Sequence, residues 1–166
     1  MPALKPVSSG GLLKDVNDNF DTLEPLMSGD LVAGGLGVLR VARFQFDAGV
    51  EANRPIGAHG VGVTLPANAL VVGGFIDVNT AFTGDTNATL AISVQAANDI
   101  ISAAAVSGAP FSTIGRKAII PKANTPESTS VKTSAAKEIT CTVAVAALLT
   151  GKLTGYLYYV EGIASA

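Results

Sequence analysis

From Val38 onward the apolar positions recur at every second residue, the period of a strand with one buried face. Val38, Ala42, Phe44 and Phe46 set a first strand, with Arg40 interrupting the apolar face. Val61, Val63 and Leu65 set a second, closed by Pro66-Ala67-Asn68. Residues 69–79 predict a long strand whose Gly73-Gly74 centre marks a bulge or a close backbone contact. The turn residues 83–87 lead into Leu90, Ile92 and Val94, and residues 100–106 form a weaker run. Asn98-Asp99 between those runs reads as a turn, because the apolar run after it is too short for a helix. Ala118-Ile119-Ile120 stops at Pro121, which predicts an edge piece, and a short strand is expected near Val131 in the polar stretch 122–137. Ile139, Cys141, Val143 and Val145 alternate with Thr140 and Thr142. Thr150-Gly151-Lys152 is expected to turn the chain into a hairpin partner carrying Leu153, Leu157 and Tyr159. About eight strands at this turn spacing predict an all-β, antiparallel sandwich, jelly-roll-like on strand number.

The first thirty residues keep a different rhythm. Leu12, Leu13, Val16, Phe20, Leu23 and Leu26 step by threes and fours, while Lys14, Asp15, Asp18, Asp21 and Glu24 fall elsewhere. Pro25 ends this helix. Residues 1–11, with two prolines and Gly10-Gly11, read as an extended arm. The expected organisation is an arm with a short amphipathic helix over 1–30, for anchoring or oligomerisation, and a β-sandwich over 31–166. The stripe Leu12, Leu13, Val16, Phe20 and Leu23 must dock on its own domain, on symmetry mates or on a larger assembly, since so short a helix is marginal alone. The glycine-rich joint at 28–37 lacks the spacing of a phosphate loop.

Composition changes this picture in one respect. The 166 residues are 48% hydrophobic with a mean hydropathy of +0.43, yet only 14% are charged. That pairing suggests a membrane protein, but a spanning helix needs about 20 uninterrupted apolar residues, and Gly, Thr, Asp, Asn or Lys breaks every run. No membrane partner is expected. Nor is nucleic acid: the net charge is −2, the pI about 5.3, and Arg40, Arg43, Arg54 and Arg116 are scattered. The single cysteine, Cys141, excludes an internal disulfide and reads as a small core residue. The N-terminus has no apolar segment of secretory type, so folding in a reducing cytoplasm is expected.

Candidate chemistry is sparse. His59, the one histidine, sits in Gly57-Ala58-His59-Gly60 without a nucleophile elbow and reads as a turn residue. Zinc sites draw on several His and Cys. Asp85 and Asn87 lack the calcium-loop pattern, and Asp15, Asp18 and Asp21 read as a solvated helix face. No catalytic site, metal or cofactor is expected, which leaves a structural or binding role.

Two stretches are more specific. Leu13-Lys14-Asp15-Val16-Asn17-Asp18-Asn19-Phe20-Asp21-Thr22-Leu23 resembles the short ND-NF-x-x-L helix that opens many tailed-bacteriophage fibre and appendage proteins. Leu65-Pro66-Ala67-Asn68-Ala69-Leu70-Val71, running into Gly73-Gly74-Phe75-Ile76-Asp77-Val78 and later Ala88-Thr89-Leu90-Ala91-Ile92, is similar to strands of small phage virion proteins, with Asn87 where Ser or Thr is usual. Glu138 to Ala147 and Leu153 to Tyr159 fit the same pattern. The resemblance is to tailed-phage virion structural proteins of the capsid decoration (cement) or head-fibre type. It implies a β-sandwich on the capsid surface of the virion, the major capsid protein as partner, self-association as a homotrimer, and no catalytic residue. The alternative it leaves open is a fibre or tail adhesin binding host glycans, with Tyr156 and Tyr158 as the exposed aromatics.

Overall fold

A computed structural model of the chain describes residues 39–121 and 129–161. The expected arm and helix of residues 1–30, with Leu12, Leu13, Val16, Phe20 and Leu23, lie outside the described residues. Within those residues strands predominate, and the only helix is the short 3-10 turn Glu51–Asn53. In chain order the strands are β1 (Leu39–Asp47), β2 (Gly57–Leu65), β3 (Leu70–Gly84), β4 (Thr89–Ser93), β5 (Ile101–Ala105), β6 (Gly115–Ile119), β7 (Val131–Lys132), β8 (Lys137–Ala144) and β9 (Leu148–Val160).

They form two antiparallel sheets, one in the order β1-β9-β3-β6 with β7 added to β3, the other β2-β8-β4-β5. Four pairings are nested: β4 with β5, β3 with β6, β2 with β8, β1 with β9. A chain paired this way is one long ribbon folded at its midpoint, around Asn98. Rolling that ribbon adds two further contacts, β9 with β3 and β8 with β4, and β7 pairs with the start of β3. This strand order is a jelly roll, with β7 a short insertion. The expected fold class holds, as do the edge position of β6 and the short strand at Val131.

The hairpin expected at Thr150-Gly151-Lys152 does not form. β8 and β9 lie in different sheets, and residues 145–147 carry the chain between them. Gly151 lies inside β9, and its role is space rather than turning. A Cβ there would stand 2.1 Å from the Phe82 ring, and a Cβ on Gly155 would stand 2.1 Å from the Phe44 ring. Both glycines face inward alongside Leu153 and Leu157, so each is a socket for a phenylalanine. Phe82 continues the aromatic core to Phe46 (centroids 6.2 Å apart) and to Phe111 (5.8 Å). Leu90, Ile92, Ile139, Cys141 and Val143 close the core from the second sheet.

The Gly73-Gly74 expectation is met in both its forms. The register with β9 shifts between Val71 and Gly73, so the buried positions change parity from Val71 to Ile76 and Val78. A Cβ at Gly74 would come within 2.2 Å of the Tyr156 carbonyl oxygen. Residues 94–99 form the expected turn: the buried Asp99 carboxylate accepts N–H bonds from Val94, Gln95 and Ala96, each 2.8 Å long. That satisfies a carboxylate whose burial would otherwise be costly.

Candidate interaction surfaces

The two sheets turn very different faces outward. On the five-stranded sheet, Tyr156 and Tyr158 of β9 alternate with buried Leu157, so both stand on the outer face. Phe75 of β3 is the register partner of Tyr156 on one side and of Ala118 on the other. The Phe75 and Tyr156 rings stack at 4.7 Å, and Tyr158 meets Phe75 edge-on at 6.2 Å. From β6, Arg116 lays its guanidinium over the Phe75 ring, 4.4 Å from the centroid. The same guanidinium donates to both Asp77 carboxylate oxygens, at 3.0 and 3.1 Å. This pair raises the Arg116 pKa above its ordinary value.

The strand order β9-β3-β6 therefore holds Phe75 between Tyr156 and Arg116, with neither ring face open. Tyr156 keeps only its side toward β1, where Arg43 is its register partner. Sugar recognition by stacking needs an open aromatic face, and this column has spent Phe75 on itself. Below it a polar row continues: Gln45 donates to Thr154 Oγ1 (3.3 Å), and Thr154 donates to Asn79 (3.1 Å). Lys152 ends the face in an ion pair with Asp47 at 2.9 Å. The Lys152 hydrogen bond, with a second from Gly49 N–H, holds the Asp47 carboxyl below its ordinary pKa.

The four-stranded sheet presents small residues. Ala58, Gly60, Gly62 and Thr64 of β2, Thr140, Thr142 and Ala144 of β8, Ala91 and Ser93 of β4, and Ala103 of β5 share its outer side. Those of β8, β4 and β5, with the 94–98 turn, line an open depression of about 410 Å³. Ser93 Oγ accepts the Asn98 N–H at 2.9 Å, so the turn is fixed to the sheet it borders.

This architecture has known parallels. The fold recurs in phage capsids. A chain in the capsid of Ralstonia phage GP4 matches at a TM-score of 0.55 and 18% identity, over 80% of this chain and 90% of that one. A chain in the cyanophage Pam1 capsid asymmetric unit matches at 0.51 and 19%, over 78% and 89%. A chain in the acidic stable capsid of Helicobacter pylori bacteriophage KHP30 matches at 0.51 and 13%, over 74% and 87%. No family model and no curated protein matches the sequence. Each match spans most of both chains, so the likeness is in the fold as a whole.

The residues singled out for chemistry are dispersed. His59 is not a turn residue but lies within β2, because the strand begins before the pattern of valines does. Its Nε2 hydrogen-bonds the Pro55 carbonyl at 2.8 Å and its ring leans on Phe46, with centroids 6.0 Å apart. Cys141, its register partner, is buried, and burial pushes its thiol pKa up, so it holds no reactive thiolate at neutral pH. Among the described residues no group of three His, Cys, Asp or Glu converges as a metal site. No helix among them is long and apolar enough to cross a membrane. Asp85 and Asn87 lie in the β3–β4 connection, where Asn87 takes the left-handed conformation that asparagine tolerates. Sequence reasoning found the two tyrosines and missed Phe75, Asp77 and Arg116. Phe75 and Asp77 flank buried Ile76, and that alternation could have marked them as outward.

Proposed function

We propose that this chain is a capsid decoration (cement) protein, a virion structural component that binds the outer surface of a phage shell and bridges neighbouring shell subunits. One observation supports the reading: the jelly roll matches chains in three phage capsid structures over most of both chains. The low charge and the absence of a catalytic constellation among the described residues fit a protein that works by burying surface. The partner is the major capsid protein, and the chain also associates with itself as a homotrimer, whose heterologous contacts close around an axis. The stripe Leu12, Leu13, Val16, Phe20 and Leu23 is the docking or oligomer contact, an apolar face with five large side chains. Nucleic acid and membrane have no part in this reading.

Quantitative mass spectrometry of purified virions tests it. The expected result is a copy number in fixed proportion to the shell subunit, of the same order of magnitude. Absence from the particle, or a copy number fitting only a tail, contradicts it. Light scattering of the full chain is expected to give a trimer at micromolar concentration, and a monomer would remove the self-association.

A further inference from the structure

The outer face of the five-stranded sheet carries an apolar row near the point where the chain enters β1. Val41 of β1 and Tyr158 of β9 are register partners, and Tyr158 stands opposite Gly73 of β3. The register shift after Val71 makes Val72 the extra residue of a bulge beside Gly73, turned away from buried Val71. Ile120 follows buried Ile119 of β6, so it points outward as well. Val41 is 56% exposed, Val72 43% and Ile120 67%. The row crosses the whole β1-β9-β3-β6 path. A contiguous row of this kind marks a contact surface, unlike aliphatics scattered singly.

Charge and length indicate what covers it. Among the described residues the cations around the row are Arg40, Arg43, Arg116 and Lys132, and the anions are Asp77 and Glu161. The surround is therefore net positive, whichever of these groups are paired. Residues 12–24 carry the opposite balance, with Asp15, Asp18, Asp21 and Glu24 against Lys14 around the apolar stripe. Strand spacing puts the outer two of four strands about 14 Å apart. The helix that the sequence predicts over residues 12–23 would be about 18 Å long. One such segment covers the row from edge to edge.

A closed trimer needs two complementary surfaces on one chain, because its contacts are heterologous. This sequence supplies an apolar stripe with an acidic surround, and the sheet supplies an apolar row with a basic one. We infer that residues 12–24 of a second copy lie across the outer face of the five-stranded sheet, on Val41, Tyr158, Val72 and Ile120. The inference rests on the self-association in the decoration reading and adds which two surfaces meet. Each copy lends its segment to the next around the axis. The glycine-rich residues 28–37 can span about 33 Å when extended, enough to pass from one sandwich to its neighbour.

Cross-linking between full-length chains of two kinds tests this. One carries Asn19→Cys, next to the stripe, and the other Ala118→Cys, exposed on β6 beside the row. Both leave the contact residues intact, and native Cys141 is buried. With a short bismaleimide, a covalent dimer is expected from the two chains assembled together and from neither alone. In a second arm, Val41→Asp combined with Ile120→Asp, both at exposed positions, is expected to turn the trimer into a monomer at micromolar concentration in light scattering. The circular dichroism of the sandwich is expected to stay unchanged. A cross-link formed only within one chain that carries both cysteines overturns the inference in favour of the chain's own segment. A trimer that gives no cross-link, or that survives both aspartates, overturns it and leaves self-association standing. A monomeric full chain overturns the self-association and the inference together.

Discussion

The two sheets share one core but close their outer sides differently. The five-stranded sheet has the long strands, β3 with 15 residues and β9 with 13, and carries large side chains locked to one another across the register. The four-stranded sheet has β4 and β5 of 5 residues each, and only Lys137 and Glu138 bring charge to its strands. Its edges are also interrupted: β2 shifts register between Gly60 and Thr64, and β5 pairs irregularly opposite Leu90 and Ile92. Bulges of this kind protect an edge that has no charges to do so. The regular edge, β1, pairs along all nine residues and carries Arg40 and Arg43 instead. The few charges are therefore not spread evenly. They gather on one sheet, while bulges and small side chains take their place on the other.

Glycine substitutions sharpen this contrast most. Gly155→Val drives a side chain into the Phe44 ring and is expected to destabilise by about 3 kcal/mol or more in urea unfolding. Combining it with Phe44→Ala should recover part of that loss, since the two residues share one space. Gly60→Ala on β2 meets only the far end of the Glu138 side chain, whose displacement gives up its hydrogen bond from Gly62 N–H, and a smaller cost of about 1 kcal/mol is expected. Equal effects at the two sites would break the comparison.

The outer faces give the next largest difference. Phe75→Ala removes a stacked ring, an edge contact and a cation–π contact together, with an expected cost of about 2 kcal/mol. Thr142→Ala on the small-residue face should stay within about 0.5 kcal/mol. The smallest effect is the pH response of the Asp47–Lys152 pair. The Asp47 carboxyl is held below its ordinary value, so its contribution is complete above the usual carboxylate pKa and is lost as pH falls through the lowered one. Both side chains are exposed to solvent, which limits the contribution to about 0.5 kcal/mol. Asp47→Asn should remove that acid-side slope without altering stability at pH 7 by more than this.

Much of this fold was legible because the signal is local. Period-two alternation located the strands, and Pro66 and Pro121 marked where two of them end. The partition into sheets was not local. Thr150-Gly151-Lys152 has the residues of a turn, but Gly151 leaves space for Phe82 from a strand far away in sequence, which no window around position 151 contains. The parity change at Val71 and Gly73 likewise depends on β9. The surfaces were less legible still. Arg116 and Asp77 are 39 residues apart and meet only because β6 is the register partner of β3. The exposed aliphatics Val41, Val72 and Ile120 look in sequence like further apolar positions of their strands, and only the strand order sets them in one row.

The central claim is that this jelly roll sits on the outside of a phage shell and bridges its subunits. A cryo-EM reconstruction of the intact virion tests it most directly. The account predicts density for the two-sheet sandwich on the outer surface, at repeated sites that each touch more than one shell subunit. Density for this chain confined to the tail, inside the shell, or contacting a single subunit at every site would contradict it.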